Sequence, residues 1–174
     1  MNRRTLLAIG CSLLALPACA AAGTEKKMPE HAEAIAPGTN RDFSFTVSTE
    51  NPDGVWDLWT RPSTWGQWDR GLKSASMEGS MTFGSVGQIQ PLSGPPSPFT
   101  VVAFEPKRSY AFETQLVGSV LRVERFFNEN RTAFTHRVTF SGPSVLVFAQ
   151  MLGPGFRRAL PPTMQQLKAL SEQR

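Results

Sequence analysis

Two periodicities divide the chain. From Arg41 to Thr49 the apolar residues Phe43, Phe45 and Val47 alternate with Ser44, Thr46 and Ser48, which predicts a strand with one buried face. Further strands are predicted at Leu72–Glu78, Ser80–Ile89, Phe99–Phe104, Ser109–Leu116, Ser119–Phe127 and Arg131–Phe140. Breaks at Glu78-Gly79, Pro106-Lys107-Arg108, Val117-Gly118 and Asn128-Glu129-Asn130 are short, and short connections favour antiparallel neighbours. Pro91, Pro95, Pro96 and Pro98 make the segment before Phe99 unsuitable for a central strand, so a loop or rim is expected there. The last segment changes period: Phe156, Leu160, Met164, Leu167 and Leu170 form the apolar stripe of a helix laid on a sheet. Gly153-Pro154-Gly155 and Pro161-Pro162 predict two helical pieces or one bent helix.

Between the first two strands lies a helix start, Asn51-Pro52-Asp53, with an Asn cap, Pro in the first turn and Asp at the positive end of the dipole. That helix carries Val55, Trp56 and Trp59 and stops at Arg61-Pro62; a short second turn from Thr64 to Trp68 presents Trp65 and Trp68. The element order predicts an α+β fold in which one curved antiparallel sheet of about seven strands closes around a long C-terminal helix.

The first 40 residues read differently. Asn2-Arg3-Arg4 precedes an apolar run from Leu6 to Ala18, the pattern of an export signal, and the run is shorter than the about 20 residues of a membrane span. Leu16-Pro17-Ala18-Cys19 resembles a bacterial lipobox, which implies removal of residues 1–18 and acylation of Cys19. Asn2 to Leu7 also resembles a twin-arginine export signal. The alternative is secretion with cleavage after Ala20 or Ala22. Either route predicts a protein working outside the cytoplasm: in the periplasm or on the cell surface if Cys19 is a membrane anchor, secreted and soluble otherwise. Residues 19–40, rich in Ala, Lys, Glu, Pro and Gly, read as a flexible tether, and residues 41–174 as one domain.

Charge and cysteine content narrow the function. Of 18 Lys and Arg, Arg3 and Arg4 would leave with the signal; the remaining 16 face 14 acidic residues, a charge of only +2. Nucleic-acid binding is therefore not indicated. Cys19 would be the only cysteine left, which excludes an internal disulfide. With His31 in the tether and no spaced His/Glu/Asp set, no metal is expected; no phosphate-binding glycine loop or dinucleotide fingerprint points to a cofactor, and no Gly-x-Ser-x-Gly elbow to a serine nucleophile.

The element order and several stretches resemble the START-like (SRPBCC) superfamily with the helix-grip fold, in its polyketide cyclase/dehydrase-like branch. The stretches are Val55-Trp56-Asp57-Leu58-Trp59 with Trp65 and Trp68-Asp69, Phe104-Glu105-Pro106, Thr132 through His136 to Phe140, Gly142-Pro143, and Leu160 through Leu170. The resemblance covers residues 41–174. It implies an apolar cavity between sheet and helix that takes a lipid or other hydrophobic ligand, or cyclises or dehydrates a polyketide; a fold alone does not choose between these.

The candidate residues follow from strand parity. His136 shares a face with Thr132, Phe134, Val138 and Phe140, the face expected to point inward, where an imidazole serves as acid, base or hydrogen-bonding group, or simply as a satisfied core histidine. Arg125 alternates with Leu121 and Val123, opposite Arg122 and Glu124; if inside, it would anchor a carboxylate or phenolate. Glu124 is expected to pair with Arg137 on the solvent face. Tyr110 is placed either in the pocket or at its rim. Asp69 is assigned turn capping or orientation of Trp68, and no chemistry. Trp56 and Trp59 are expected to dock the first helix, whereas Trp65 and Trp68 would either pack in the same way or line the ligand and act as a lid. Three functions stay open: binding of a small hydrophobic or amphipathic molecule by a membrane-tethered domain, with Trp65, Trp68, Tyr110, Arg125, Phe134 and His136 as contacts; a cyclase or dehydratase-like enzyme using His136; and a structural or assembly role with a filled core.

Overall fold

The computed structural model describes residues 41–174; the expected signal, Cys19 and the tether lie outside them. The chain runs β1 (Asp42–Ser48), α1 (Pro52–Trp59), a 3-10 turn (Pro62–Thr64) leading into α2 (Trp65–Trp68), then β2 (Leu72–Met77), β3 (Val86–Pro91), β4 (Ser97–Glu105), β5 (Ser109–Leu116), β6 (Ser119–Phe127), β7 (Ala133–Ser141) and α3 (Val145–Glu172). In these residues β2 to β7 form an antiparallel meander and β1 pairs with β7, giving the order β1-β7-β6-β5-β4-β3-β2. The expected α+β helix-grip architecture is the one observed.

α1 starts as its sequence dictates. Asn51 Oδ1 accepts from Gly54 N at 2.9 Å, Pro52 opens the first turn, and Asn51 Nδ2 donates to the Ser171 carbonyl at 2.7 Å. One side chain thus caps α1 and ties it to the last turn of α3. At the other end of α1, the Leu58 carbonyl accepts from Thr64 Oγ1 at 2.9 Å.

Strand boundaries depart from the alternation in three places. The expected strand Ser80–Ile89 begins only at Val86, because residues 80–85 form a loop: Thr82 N donates to Ser85 Oγ at 3.0 Å, and Gly84 takes φ +81° and donates to the Val101 carbonyl. Met81 is buried from this loop while Phe83 is exposed, which imitates a strand's alternation. The expected Arg131–Phe140 strand starts at Ala133, since Arg131 has φ +56° and the Asn128 side chain closes the turn onto Ala133 N. The proline-rich segment contributes more strand than expected: β3 runs to Pro91 and β4 includes Pro98, paired with Gln88. β5 joins β4 only from Thr100, so Pro98 owes that neighbour no N–H.

α3 is one helix of 28 residues with Pro154, Pro161 and Pro162 inside it. Each proline frees the carbonyl four residues earlier, on Gln150, Arg157 and Arg158, and all three of those residues are exposed. Water can satisfy those carbonyls, so no break is forced. The buried face of α3 carries Val145, Ala149, Gly153, Leu160, Met164 and Leu167 and rests on β1, β7 and α1. Gly153 is required there, as a Cβ would stand 2.6 Å from Cζ of the buried Phe43 ring. At Gly155 a Cβ would meet nothing within 4 Å.

These two glycines test the seating of α3. Gly155→Ala should raise stability by up to about 1 kcal/mol through helix propensity. Gly153→Ala should fall about 1–3 kcal/mol below it through overpacking against Phe43. Urea unfolding of both variants reads the difference; equal midpoints would mean that α3 does not lie on Phe43.

Candidate functional site

The cross-strand register sets Phe45, His136, Arg125, Tyr110 and Phe104 in one row across β1, β7, β6, β5 and β4. The flanking residues of the same parity, Phe134, Val138, Val123, Phe127 and Phe112, are buried core residues, so this row is on the inner face. Arg125 is thereby carried into the core by strand parity and is only 1 % exposed.

Its guanidinium is enclosed by side chains from the α1–α2 corner. Arg125 Cζ lies 4.4 Å from the Trp65 ring centroid and 4.7 Å from that of Trp68. Nη1 donates to Tyr110 Oη at 2.5 Å, and Nη2 is 3.7 Å from Asp69 Oδ2. Tyr110 Oη in turn donates a hydrogen bond to the Trp59 carbonyl at 2.8 Å, and Trp65 Nε1 donates to the same carbonyl at 2.9 Å. A carbonyl at the end of α1, which has no helical partner to the next turn, is therefore held by two buried donors. A desolvated cation against indole faces gains about 2 kcal/mol or more, and burying it unpaired costs several kcal/mol. The aromatic faces, Tyr110 and Asp69 offset part of that cost.

The environment fixes the protonation states. Burial pushes the Tyr110 hydroxyl up to about 12, against the pull of Arg125, so it remains a proton donor at neutral pH. Burial, reinforced by the Arg125 charge, holds His136 well below its ordinary value, so the imidazole is neutral. Burial also raises Asp69, more than Arg125 lowers it. Among the described residues, Arg125 Nε, His136 Nδ1 and Trp68 Nε1 are buried without a hydrogen-bond partner, as is Thr114 Oγ1 on the same face of β5 as Tyr110. Buried polar atoms usually find partners, so this concentration on one inner face marks a place with polar capacity to spare.

The sequence-derived candidates are thus distributed unevenly. Arg125, Tyr110, Trp65, Trp68 and His136 come together, the first four in direct contact. Both tryptophans are packed inside: Trp65 stacks on Phe99 and Phe112 at 5.4 and 5.3 Å. Phe134 lies under α1 against Trp59, centroids 5.6 Å apart, and Trp56 and Trp59 dock that helix on Phe104, Tyr110 and Phe127. Asp69 caps the turn onto Gly71 N at 2.9 Å, as expected, and is also the carboxylate nearest to Arg125, which the sequence reading missed. The available signal was its place directly after Trp68, on the segment that packs over a strand carrying an inward arginine. On the outer face Glu124 pairs with Arg122 at 2.9 Å and Arg137 at 3.5 Å, and Arg137 continues to Asp42. Among the described residues no group of three or more His, Cys, Asp or Glu is placed to hold a metal ion.

The burial of neutral His136 has a pH signature. Its folded-state value is depressed, so as pH falls through about 6.5 the unfolded chain takes up a proton that the folded chain refuses, and stability drops by up to about 1.4 kcal/mol per pH unit. Urea unfolding between pH 7.5 and 5.5 should show this slope in the wild type and its loss in His136→Gln. Tyr110→Phe, which keeps the ring but strands Arg125 Nη1 and the Trp59 carbonyl, should cost about 1–3 kcal/mol at pH 7.

Comparison with known proteins agrees with this architecture. No curated protein matches the chain. Solved structures do: a protein from Nitrosomonas europaea superposes with a TM-score of 0.58 at 14% identity, covering 78% of this chain and 97% of that one. A Helicobacter pylori protein gives 0.58 at 13% identity, covering 75% and 86%. DynU16, from the dynemicin biosynthetic locus, gives 0.56 at 21% identity, covering 76% of this chain and 47% of that one. At these identities the likeness is one of fold. The sequence model of one family, described as polyketide cyclase / dehydrase and lipid transport, matches residues 42–172, well over half of the chain. The chain belongs to the polyketide cyclase/dehydrase and lipid transport family.

Proposed function

We propose that this protein binds a small amphipathic molecule between its concave sheet and α3, with an acidic or carbonyl-bearing head directed at Arg125 and His136. The observation that carries this reading is the incomplete neutralisation of Arg125. Its one carboxylate neighbour stands at 3.7 Å, beyond hydrogen-bond distance, and burial works against the charge on that carboxylate. An anionic ligand head meeting Arg125 Nε would supply the missing acceptor, and neutral His136 adds a second polar contact. The apolar remainder of the ligand would be held by burial, at about 25 cal/mol per Å². Family membership supports a hydrophobic-ligand role in general terms.

Residues 1–18 as an export signal and acylation of Cys19 would place this binding domain on a membrane facing the periplasm or the exterior. Proton transfer by His136 on a bound polyketone is the second reading. A neutral imidazole favours base over acid chemistry, but no hydrogen bond to Nδ1 orients the ring.

Native mass spectrometry of the protein purified from its own host should show a retained amphipathic compound. Titration with dodecanoate and with dodecanol, read by tryptophan fluorescence, should show preference for the carboxylate. Arg125→Met should weaken dodecanoate binding about 10- to 100-fold, the worth of a hydrogen-bonded charge, and leave dodecanol unchanged. Equal affinities in the wild type would remove Arg125 as the anchor, and an empty protein that binds neither compound would favour a structural role.

A further inference from the structure

The apolar surface of this domain is concentrated at one end. The strand topology gathers there the start of β1, the β5–β6 hairpin, the β7–α3 turn and the first turns of α3: Val120 pairs with Ser141, Asp42 with Thr139, and Ser144 N donates to the Gly118 carbonyl at 3.0 Å. Val117, at the hairpin tip, is 87 % exposed, and Met151 is 69 % exposed. Leu146 and Val147 also stand exposed on the first turn of α3, Leu146 at the margin of the buried Val145-Ala149-Gly153 stripe and Val147 with Met151 on the side away from it. No charged residue occurs between Arg137 and Arg157, or between Glu113 and Arg122. A helix end facing water normally carries charges on its outer side; this one carries none.

We infer that this end of the domain inserts into the surface of a lipid bilayer. Three features select a bilayer over other occupants. The apolar side chains sit on a convex hairpin tip and helix end, a shape suited to entering a soft interface. Exposed Arg158 follows Met151 by seven residues, about 10 Å along the helix, and exposed Arg41 immediately precedes β1 at the same end. An apolar tip of about 5–10 Å with cations behind it matches the acyl boundary and the phosphate layer of an anionic membrane. The chain also enters the domain at this end, through Arg41, and the inference rests in this respect on the reading of Cys19 as a lipid anchor. The 22 residues from Cys19 to Asn40 span roughly 75 Å at most, so acyl chains on Cys19 would hold the domain near the bilayer with the apolar end closest to its attachment. In a two-fold dimer through the same patch, the cations would instead face their own copies.

The test uses the mature chain, Cys19 to Arg174, with Cys19→Ser so that no acyl anchor contributes, and vesicles of phosphatidylethanolamine and phosphatidylglycerol at 3:1. The protein should sediment with the vesicles. Combining Val117→Ser, Leu146→Ser and Met151→Ser should lower the bound fraction at least tenfold, with an unchanged unfolding midpoint. Phe83→Ser with Val86→Ser, which removes exposed apolar residues on β3 and the loop before it, across β4 from the β5–β6 hairpin, should leave binding intact. Arg125→Met should also bind vesicles as the wild type does, which separates this inference from the ligand site. Three results would overturn it: no sedimentation of the Cys19→Ser chain, equal binding by the triple variant, or a dimer in lipid-free solution that the triple variant abolishes.

Discussion

A guanidinium in the core is the constraint on which this structure turns. Arg125 enters the interior because it shares strand parity with Leu121, Val123 and Phe127, all of which must be buried. Once inside, it has to be stabilised, and the α1–α2 corner does so with two indole faces, a phenol and a carboxylate. The same contacts fix the corner itself. Tyr110 and Trp65 hold the Trp59 carbonyl, and Trp65 stacks on β4 and β5 through Phe99 and Phe112. Replacing such a charge by a hydrocarbon of similar volume is often neutral or favourable for stability. Retaining it in the core is therefore more readily understood through specificity or binding than through stability.

The two faces of β6 treat charge in opposite ways. Outside, Arg122, Glu124 and Arg137 alternate in sign along neighbouring strands and neutralise one another near water, each pair contributing little alone. Inside, the positive charge of Arg125 sits beside a histidine whose protonation it opposes and a carboxylate whose ionisation burial opposes. The outer ladder is complete in itself. The inner cluster has donors left over, and its surroundings exclude water, so an acceptor placed there would interact strongly.

The ends of the sheet also differ. One is closed by α1 and by the Asn51 bridge to Ser171, which pins the last turn of α3. The other carries the free hairpin tip and the uncharged start of α3, where the helix buries only one narrow stripe. The proposed interior ligand site and the proposed bilayer-inserting end would be compatible parts of one device that meets its ligand at a membrane.

Local chemistry was legible in the sequence. The alternation of β1, the Asn51 cap, the parity of β6 and the apolar stripe of α3 follow from the nearest few residues, because side-chain direction repeats with backbone period. The same locality sets the limits: Met81 in a loop imitates a strand position, and the three prolines of α3 leave one helix and two pieces equally open when the exposure of the freed carbonyls is unknown. Parity put Arg125 opposite Arg122 and Glu124 but could not say which face was inside, since that depends on where α2 and α3 pack. Asp69, 56 positions from Arg125, gave no local sign of becoming its nearest carboxylate. The sequence by itself determined the elements and their order, which short-range sterics and burial dictate. Tertiary structure alone decided which polar groups meet in the core and which protonation states they keep, because those depend on distances between residues remote along the chain and on the water that packing removes.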